Sequence, residues 1–367
     1  MGLLETTVEE NGMSEEINHG RRRFMGAAAM AFAATSLPMF GSSLRLPVEG
    51  DLPDFHGATA WLNSDPLTRK DLRGRAVLID ICTYSCINWR RSLPYVRAWH
   101  ERYKEHGLVV IGVHSPEFAF EHDVTNIKQG LAGMKVSYPI TVDNDYAIWN
   151  ALNNRFWPAL YLADARGRIR YHKFGEGDYE QSETVLQQLL NDAGAHDLGA
   201  GLTTVNPMGP EVAADWANLR SEENYLGYER TQNFTSPRGM GTNKLRDYGA
   251  PRELKLNHWT LTGGWVAEKD AVRLNAATGS ITYRFHARDL HLVMGPESPG
   301  TPIRFRIQID GQVPGAAYGS DVDERGEGVA DSPRMYHLIR QSGAITDRTF
   351  QIDFLSSGIK AYSFTFG

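Results

Sequence analysis

Short apolar, β-branched runs alternate with helical periodicity in the first half of the chain. Val77-Leu78-Ile79-Asp80-Ile81 and Leu108-Val109-Val110-Ile111-Gly112-Val113 read as buried strands. Between them Trp89, Leu93, Val96, Trp99 and Tyr103 recur every three or four positions, which is one face of a helix stopped by Gly107. Pro94 falls inside that helix and is expected to kink it. Two buried strands joined by a helix predict a parallel βαβ unit. A helix over 118–131, a strand over 138–142, a strand over 159–163, a turn at Asp164-Ala165-Arg166-Gly167 into a strand over 168–174, and a helix over 179–191 complete the series.

From Tyr225 onward the period changes to two. Residues 280–287, 303–310 and 349–354 alternate, the chain reaches its end in strand over 361–366, and Asp310-Gly311 is a hairpin-turn signal. Gly- and Pro-containing stretches such as Pro207-Met208-Gly209-Pro210 mark a composition change between the halves, with a short helical pattern over 212–219. The expected organisation is an N-terminal segment 1–43, an α/β domain 44–192, a linker 193–223 and a β-sandwich domain 224–367. The first domain has the element order of the thioredoxin fold. The second is an all-β, jelly-roll-like sandwich.

Composition narrows the function classes. The 367 residues carry 38 Lys+Arg against 44 Asp+Glu, so the chain is not a globally basic nucleic-acid binder. Two cysteines in so long a chain exclude a disulfide-stapled scaffold, and Cys82 and Cys86 stand only four positions apart, which points to chemistry. No Gly-rich phosphate loop, His-rich zinc spacing or Ser/His/Asp arrangement stands out, so no cofactor and no metal centre is expected. Asp321-Val322-Asp323 with Glu324, Gly326 and Glu327 offers oxygen ligands suited to calcium but lacks a full loop signature, and a solvated hairpin turn is the expected reading. Near the N-terminus, Arg21-Arg22-Arg23-Phe24 precedes an Ala-rich, mildly apolar run, the pattern of a twin-arginine export signal. Export would place the protein in the periplasm or cell envelope, held there by the signal segment if it is not cleaved.

The segment Asp80-Ile81-Cys82-Thr83-Tyr84-Ser85-Cys86-Ile87-Asn88-Trp89 resembles the active-site region of exported thioredoxin-like proteins of the TlpA and DipZ type. The resemblance continues through Leu93-Pro94-Tyr95, His114-Ser115-Pro116-Glu117-Phe118, Asp143-Asn144-Asp145-Tyr146 and Asn154-Arg155-Phe156-Trp157-Pro158. Tyr225–Arg230, Tyr283–Leu290 and Ile309-Asp310-Gly311 look like the C-terminal domain of DipZ-like proteins, a resemblance that implies a fold similar to carbohydrate-binding modules. The family pattern is Trp-Thr-Tyr-Ser-Cys-Ile-Asn-Cys. This chain has Cys82 in place of the Trp and Trp89 in place of the second Cys, so the C-x-x-C dithiol is broken.

The resemblance implies thiol–disulfide exchange with protein thiols or disulfides, a thiol reductant of the cell envelope being the implied electron partner. Cys86 matches the nucleophile, at a helix start where unpaired N–H groups stabilise a thiolate. Asp80 matches the buried carboxylate that assists proton transfer, and burial without full pairing would raise its pKa. Trp157-Pro158 matches the cis-proline loop that grips extended substrate. Glu117 matches a residue near the site, and Trp89 occupies the resolving position. Cys82 could resolve only if residues 83–85 turn. A disulfide needs Cα atoms within about 7 Å, and at roughly 3.3 Å per residue an extended run would hold the pair farther apart, near ~13 Å. Cys82 as a small core residue is the other reading. Two further functions are carried: a one-cysteine thiol peroxidase, and a non-catalytic scaffold binding a protein partner or cell-wall glycan. Glycan binding would need exposed aromatics, and for the candidates Trp259, Trp265 and Tyr318 core packing is the expected reading.

Overall fold

The computed structural model describes residues 46–367, and the arginine-led segment 1–43 lies outside them. No helix of the described residues is long and apolar enough to cross a membrane. The chain forms two compact units, and they interleave along the sequence. The first holds the described residues through Thr83, then Tyr95–Pro116 and Val136–Thr204; the second holds Tyr84–Pro94, Glu117–Lys135 and Val205–Gly367.

The first unit is built on a seven-stranded sheet: β1 (Gly50–Asp51), β2 (Ala60–Leu62), β3 (Ala76–Cys82), β4 (Leu108–His114), β5 (Ile140–Val142), β6 (Ala159–Ala163) and β7 (Arg168–Phe174). Their order across the sheet is β1-β7-β6-β3-β4-β5-β2. β3 and β4 pair in parallel from Ala76↔Leu108 to Cys82↔His114, and β6 runs antiparallel to β3. Every residue of β3 is buried, as expected of a strand covered on both faces. The helix between β3 and β4, α1 (Ile87–Tyr103), continues through Pro94, where the Arg90 carbonyl loses its usual donor.

The helix expected over 118–131 is interrupted. A helical turn at Ala119–His122 stops at Asp123, and α2 (Val124–Ala132) begins there because the Asp123 carboxylate accepts the Thr125 N–H at 2.6 Å. A short α3 (Ala147–Ala151) follows. In α4 (Tyr179–Asp192), Val185, Leu186, Leu189 and Leu190 are buried at helical spacing. Glu183 on α4 is also buried; it accepts the Tyr103 hydroxyl at 2.6 Å and the Thr203 N–H at 2.8 Å, fastening the chain beyond the helix to this unit.

The sheet of the second unit is antiparallel throughout. Its strands are β8 (Asn224–Tyr225), β9 (Leu245–Tyr248), β10 (Trp259–Ala267), β11 (Val272–Phe285), β12 (Asp289–Pro296), β13 (Ile303–Ile309), β14 (Glu327–Ala330), β15 (Arg334–Arg340), β16 (Arg348–Phe354) and β17 (Ile359–Phe366). The main path is β14-β13-β16-β11-β17-β12-β15, with β10 and β9 continuing from β11 and β8 on β17. Ile303, Phe305, Ile307 and Ile309 face inward along β13 while the residues between them face out, as the alternation predicts. Asp310 and Gly311 both adopt positive φ, the conformation that makes this dipeptide a tight-turn signal.

One expectation for this half is corrected, and two others are met. Residues 212–219 are not helical; Asp215 starts a turn closed by the Asn218 N–H on its carbonyl. Trp259 and Trp265 are wholly buried in the sandwich core, leaving Tyr318 as the exposed aromatic of the three. At 321–327 the hairpin turn is found as expected, with Asp321, Asp323 and Glu327 engaged by protein groups. Asp321 pairs with Arg334 at 2.8 Å, Asp323 accepts the Arg325 and Glu327 N–H groups, and Glu327 pairs with Arg306.

β12 is buried along its whole length and brings charge into the core. Asp289 accepts Nε of Arg340 at 2.6 Å, the guanidinium of Arg288 at 2.6 Å and Nε2 of His337 at 3.2 Å. These donors outweigh burial and hold its pKa far below the usual carboxylate range. Burial, reinforced by His337 and Arg91, pushes His291 well below its ordinary value. Both depressions act in the same sense: the unfolded chain takes up protons that the folded one refuses. Their stabilisation is full above the unfolded pKa values and lost as pH falls. We therefore expect the unfolding free energy from urea titrations to drop as pH falls below about 6.5 through His291 and again below about 4 through Asp289, each by up to ~1.4 kcal/mol per pH unit. His291→Asn should flatten the first limb and Asp289→Asn the second; an unchanged pH profile in both would contradict the assignment.

Candidate active site

Asp80 and Cys82 stand two residues apart on β3 and so share a face of the sheet. Both are wholly buried. The Tyr138 hydroxyl donates to Asp80 Oδ2 at 3.2 Å. Burial first, then the nearby Asp80 carboxylate, pushes the Tyr138 phenol well above its usual pKa, so it remains a donor. Gly112 makes this contact possible. It pairs with Asp80 across β3 and β4, and a Cβ there would lie 2.2 Å from Ile140 Cδ1 and 3.2 Å from Tyr138 Cε2. His114, also wholly buried, pairs with Cys82 one step further on. The Ser115 N–H closes on the Cys82 carbonyl at 3.0 Å.

Beyond Cys82 the chain turns at Tyr84-Ser85 and enters α1. Cys86, 8% exposed, stands at the entrance: its carbonyl accepts the Arg90 N–H at 3.0 Å, the first helical bond. The helix dipole there favours negative charge. Trp89 is wholly buried, so its indole packs inside rather than facing solvent.

A second buried carboxylate holds this turn. Glu121 accepts the Ser85 hydroxyl at 2.6 Å and the N–H groups of Glu117 and Phe118 at 2.7 and 3.0 Å. Glu117 is not a solvated charge; its side chain is nearly buried, accepting the Tyr225 hydroxyl at 2.6 Å with Arg230 at 3.5 Å. Arg230 in turn lies 3.6 Å over the Tyr225 ring. Ile87, Phe118 and Phe120 pack with Tyr225, Val293, Met335 and Tyr362, so the Cys86 turn is built into the core of the second compact unit.

In the first unit, the Trp157-Pro158 peptide is cis, and the Trp157 indole N–H donates to the Ser115 carbonyl at 3.0 Å. Sequence reasoning missed Tyr138, His114 and Glu121. Glu121 carried a readable signal, an acidic residue at the third position of a helical turn, where it reaches back to the N–H groups at the turn's start. Among the described residues no group of three or more His, Cys, Asp or Glu side chains could hold a metal.

The mixed sheet, the helix entered through Cys86 and the cis-proline loop define a thioredoxin-fold protein. Residues 48–172 match the AhpC/TSA family and residues 221–367 match the thioredoxin-like C-terminal domain. The chain is 35% identical over 323 residues to protein DipZ of Mycobacterium bovis, covering 87% of this chain and 43% of that protein. It is 31% identical over 140 residues to the thiol-disulfide oxidoreductase YkuV of Bacillus subtilis, covering 38% of this chain and 93% of that protein. A solved thioredoxin-like protein in its oxidized form aligns at 30% identity and a TM-score of 0.36, over 39% of this chain and 96% of its own. The chain belongs to the thioredoxin-like proteins of the TlpA/DipZ type. It spans less than half the length of the DipZ proteins it matches.

Two outcomes are expected. Tyr138→Phe removes a donor from a buried carboxylate and should lower stability by about 1–3 kcal/mol in chemical denaturation. Glu121→Ala releases the Ser85 hydroxyl and two N–H groups and should accelerate maleimide labelling of Cys86. Labelling at the parent rate would show that the turn does not depend on Glu121.

Proposed function

We propose that this protein is an exported thiol–disulfide oxidoreductase whose site works with an altered thiol arrangement. Cys86 is the attacking thiol, Asp80 the proton-transfer group, and the Trp157-Pro158 loop the element that receives an extended substrate strand. The observation that carries this reading is the placement of Cys86 at the entrance of α1, where a thiolate is stabilised. The names of the relatives, YkuV among them, support the same chemistry.

Attack by the Cys86 thiolate on a substrate disulfide forms a mixed disulfide and expels one substrate thiolate, which takes up a proton. Release requires a second thiol. Trp89 stands where the family supplies it, so turnover by the ordinary dithiol route is attenuated. Release then falls to Cys82 or to an external thiol of the cell envelope. Glu117, which the resemblance matches to a residue near the site, is held by Tyr225 and Arg230 as a fixed carboxylate. Substrates are protein thiols or disulfides, and Arg21-Arg22 directs export by the twin-arginine route.

In a disulfide-reduction assay Trp89→Cys should exceed the parent by at least about tenfold, and Cys86→Ser should be inactive. If the parent is already as active as Trp89→Cys, and Cys82→Ser abolishes that activity, Cys82 is a working resolving thiol and the reading of attenuated turnover is wrong. Peroxide consumption that depends on Cys86 without disulfide reduction would instead assign a one-cysteine peroxidase.

A further inference from the structure

The second compact unit contains a cavity of about 240 Å³ whose lining holds two guanidinium groups and no carboxylate. That is below the roughly 300–1,000 Å³ of pockets for drug-sized ligands, so an occupant is a small molecule or a terminal group. Arg90 enters from the first turn of α1, Asn126 and Gln129 from α2, and Ser332 and Arg334 from the segment leading into β15. The frame is fixed. Tyr84 donates to the Pro333 carbonyl at 2.9 Å, and its ring lies against Gly130 so closely that a Cβ there would come within 2.4 Å of it.

The two arginines differ. Arg334 is bridged to Asp321 at 2.8 Å, approaches Asp331 at 3.7 Å and lies 3.7 Å over the Tyr336 ring. Arg90 Nε is buried with no hydrogen-bond partner among the described residues. Burial acts against its charge, Arg334 repels it, and the carboxylate that favours it most, Asp321, is already bridged to Arg334. A desolvated guanidinium without a bonded acceptor is costly, and an oxyanion is the group whose geometry matches its fork.

We propose that this cavity binds a small oxyanion, its carboxylate or phosphoryl oxygens held by Arg90 and Arg334 and its remaining polar atoms by Asn126, Gln129 and Ser332. The proposal does not rest on the thiol chemistry and stands whether or not that chemistry is confirmed.

The test is calorimetric titration of the purified full chain at low ionic strength with succinate and, separately, inorganic phosphate. At least one should bind saturably; succinate alone assigns a carboxylate ligand, phosphate alone a phosphoryl ligand, and both a general oxyanion site. Arg90→Gln should weaken binding by about tenfold or more, the loss expected for a charge-assisted hydrogen bond, and Arg90→Lys by less. Cys86→Ser should bind as the parent does. If Arg90→Gln folds poorly, the double variant Asn126→Ala, Gln129→Ala serves instead and should weaken binding severalfold. No saturable binding of either anion by the parent, or affinity unchanged in both the Arg90→Gln and the double variant, overturns the proposal.

Discussion

A carboxylate removed from water must be given donors or lose its charge, and Glu121 meets that requirement with groups from two stretches of the second unit. The Ser85 hydroxyl comes from the turn before α1, and the Glu117 and Phe118 N–H groups come from the segment after β4. These stretches are far apart in sequence. Once the carboxylate is satisfied, Cys86 has a fixed neighbour in Ser85. Glu117 is turned toward Tyr225 and Arg230, and Phe118 and Phe120 are delivered to the apolar cluster that contains Ile87 and Tyr362. Apolar burial supplies most of the stabilisation there, while the carboxylate selects one arrangement of the turn.

Charge is handled differently in the sandwich. Asp289 lies on a strand buried on every residue, yet Arg288, Arg340 and His337 surround it with donors. The donors themselves are unequal in burial: the two arginine side chains are partly exposed and His337 is not. The long arginine side chains stay partly exposed while their guanidinium groups reach inward to the carboxylate.

The parts of the fold legible in the sequence were those with a period. The run Val77–Ile81 could only be a covered strand, and the three-and-four spacing from Trp89 to Tyr103 could only be a helix face; both are found as read. The interruption at Asp123 was not seen because Phe118–Leu131 keeps enough apolar periodicity to mask an N-cap, which declares itself only through the Thr125 N–H. The thiols, the carboxylate on β3 and the proline loop were visible as residue types in a family arrangement. Tyr138 was not, because its link to Asp80 depends on a glycine in a neighbouring strand leaving room for a ring. Nor did sequence anticipate that 84–94 and 117–135 would share a compact unit with residues beyond 205, since that pairing is a property of tertiary packing alone.

The interleaving of those stretches has a consequence in time. A chain made from its N-terminus at roughly 5–20 residues per second exposes residue 86 well before the strands that complete its packing exist. Ile87 finds Tyr362 as a cluster partner only when almost the whole described chain has emerged. Until then the Cys86 turn lacks its apolar backing, and its thiol is open to whatever electrophile or disulfide is nearby. A nascent chain of this design gains protection for that turn only late in its synthesis.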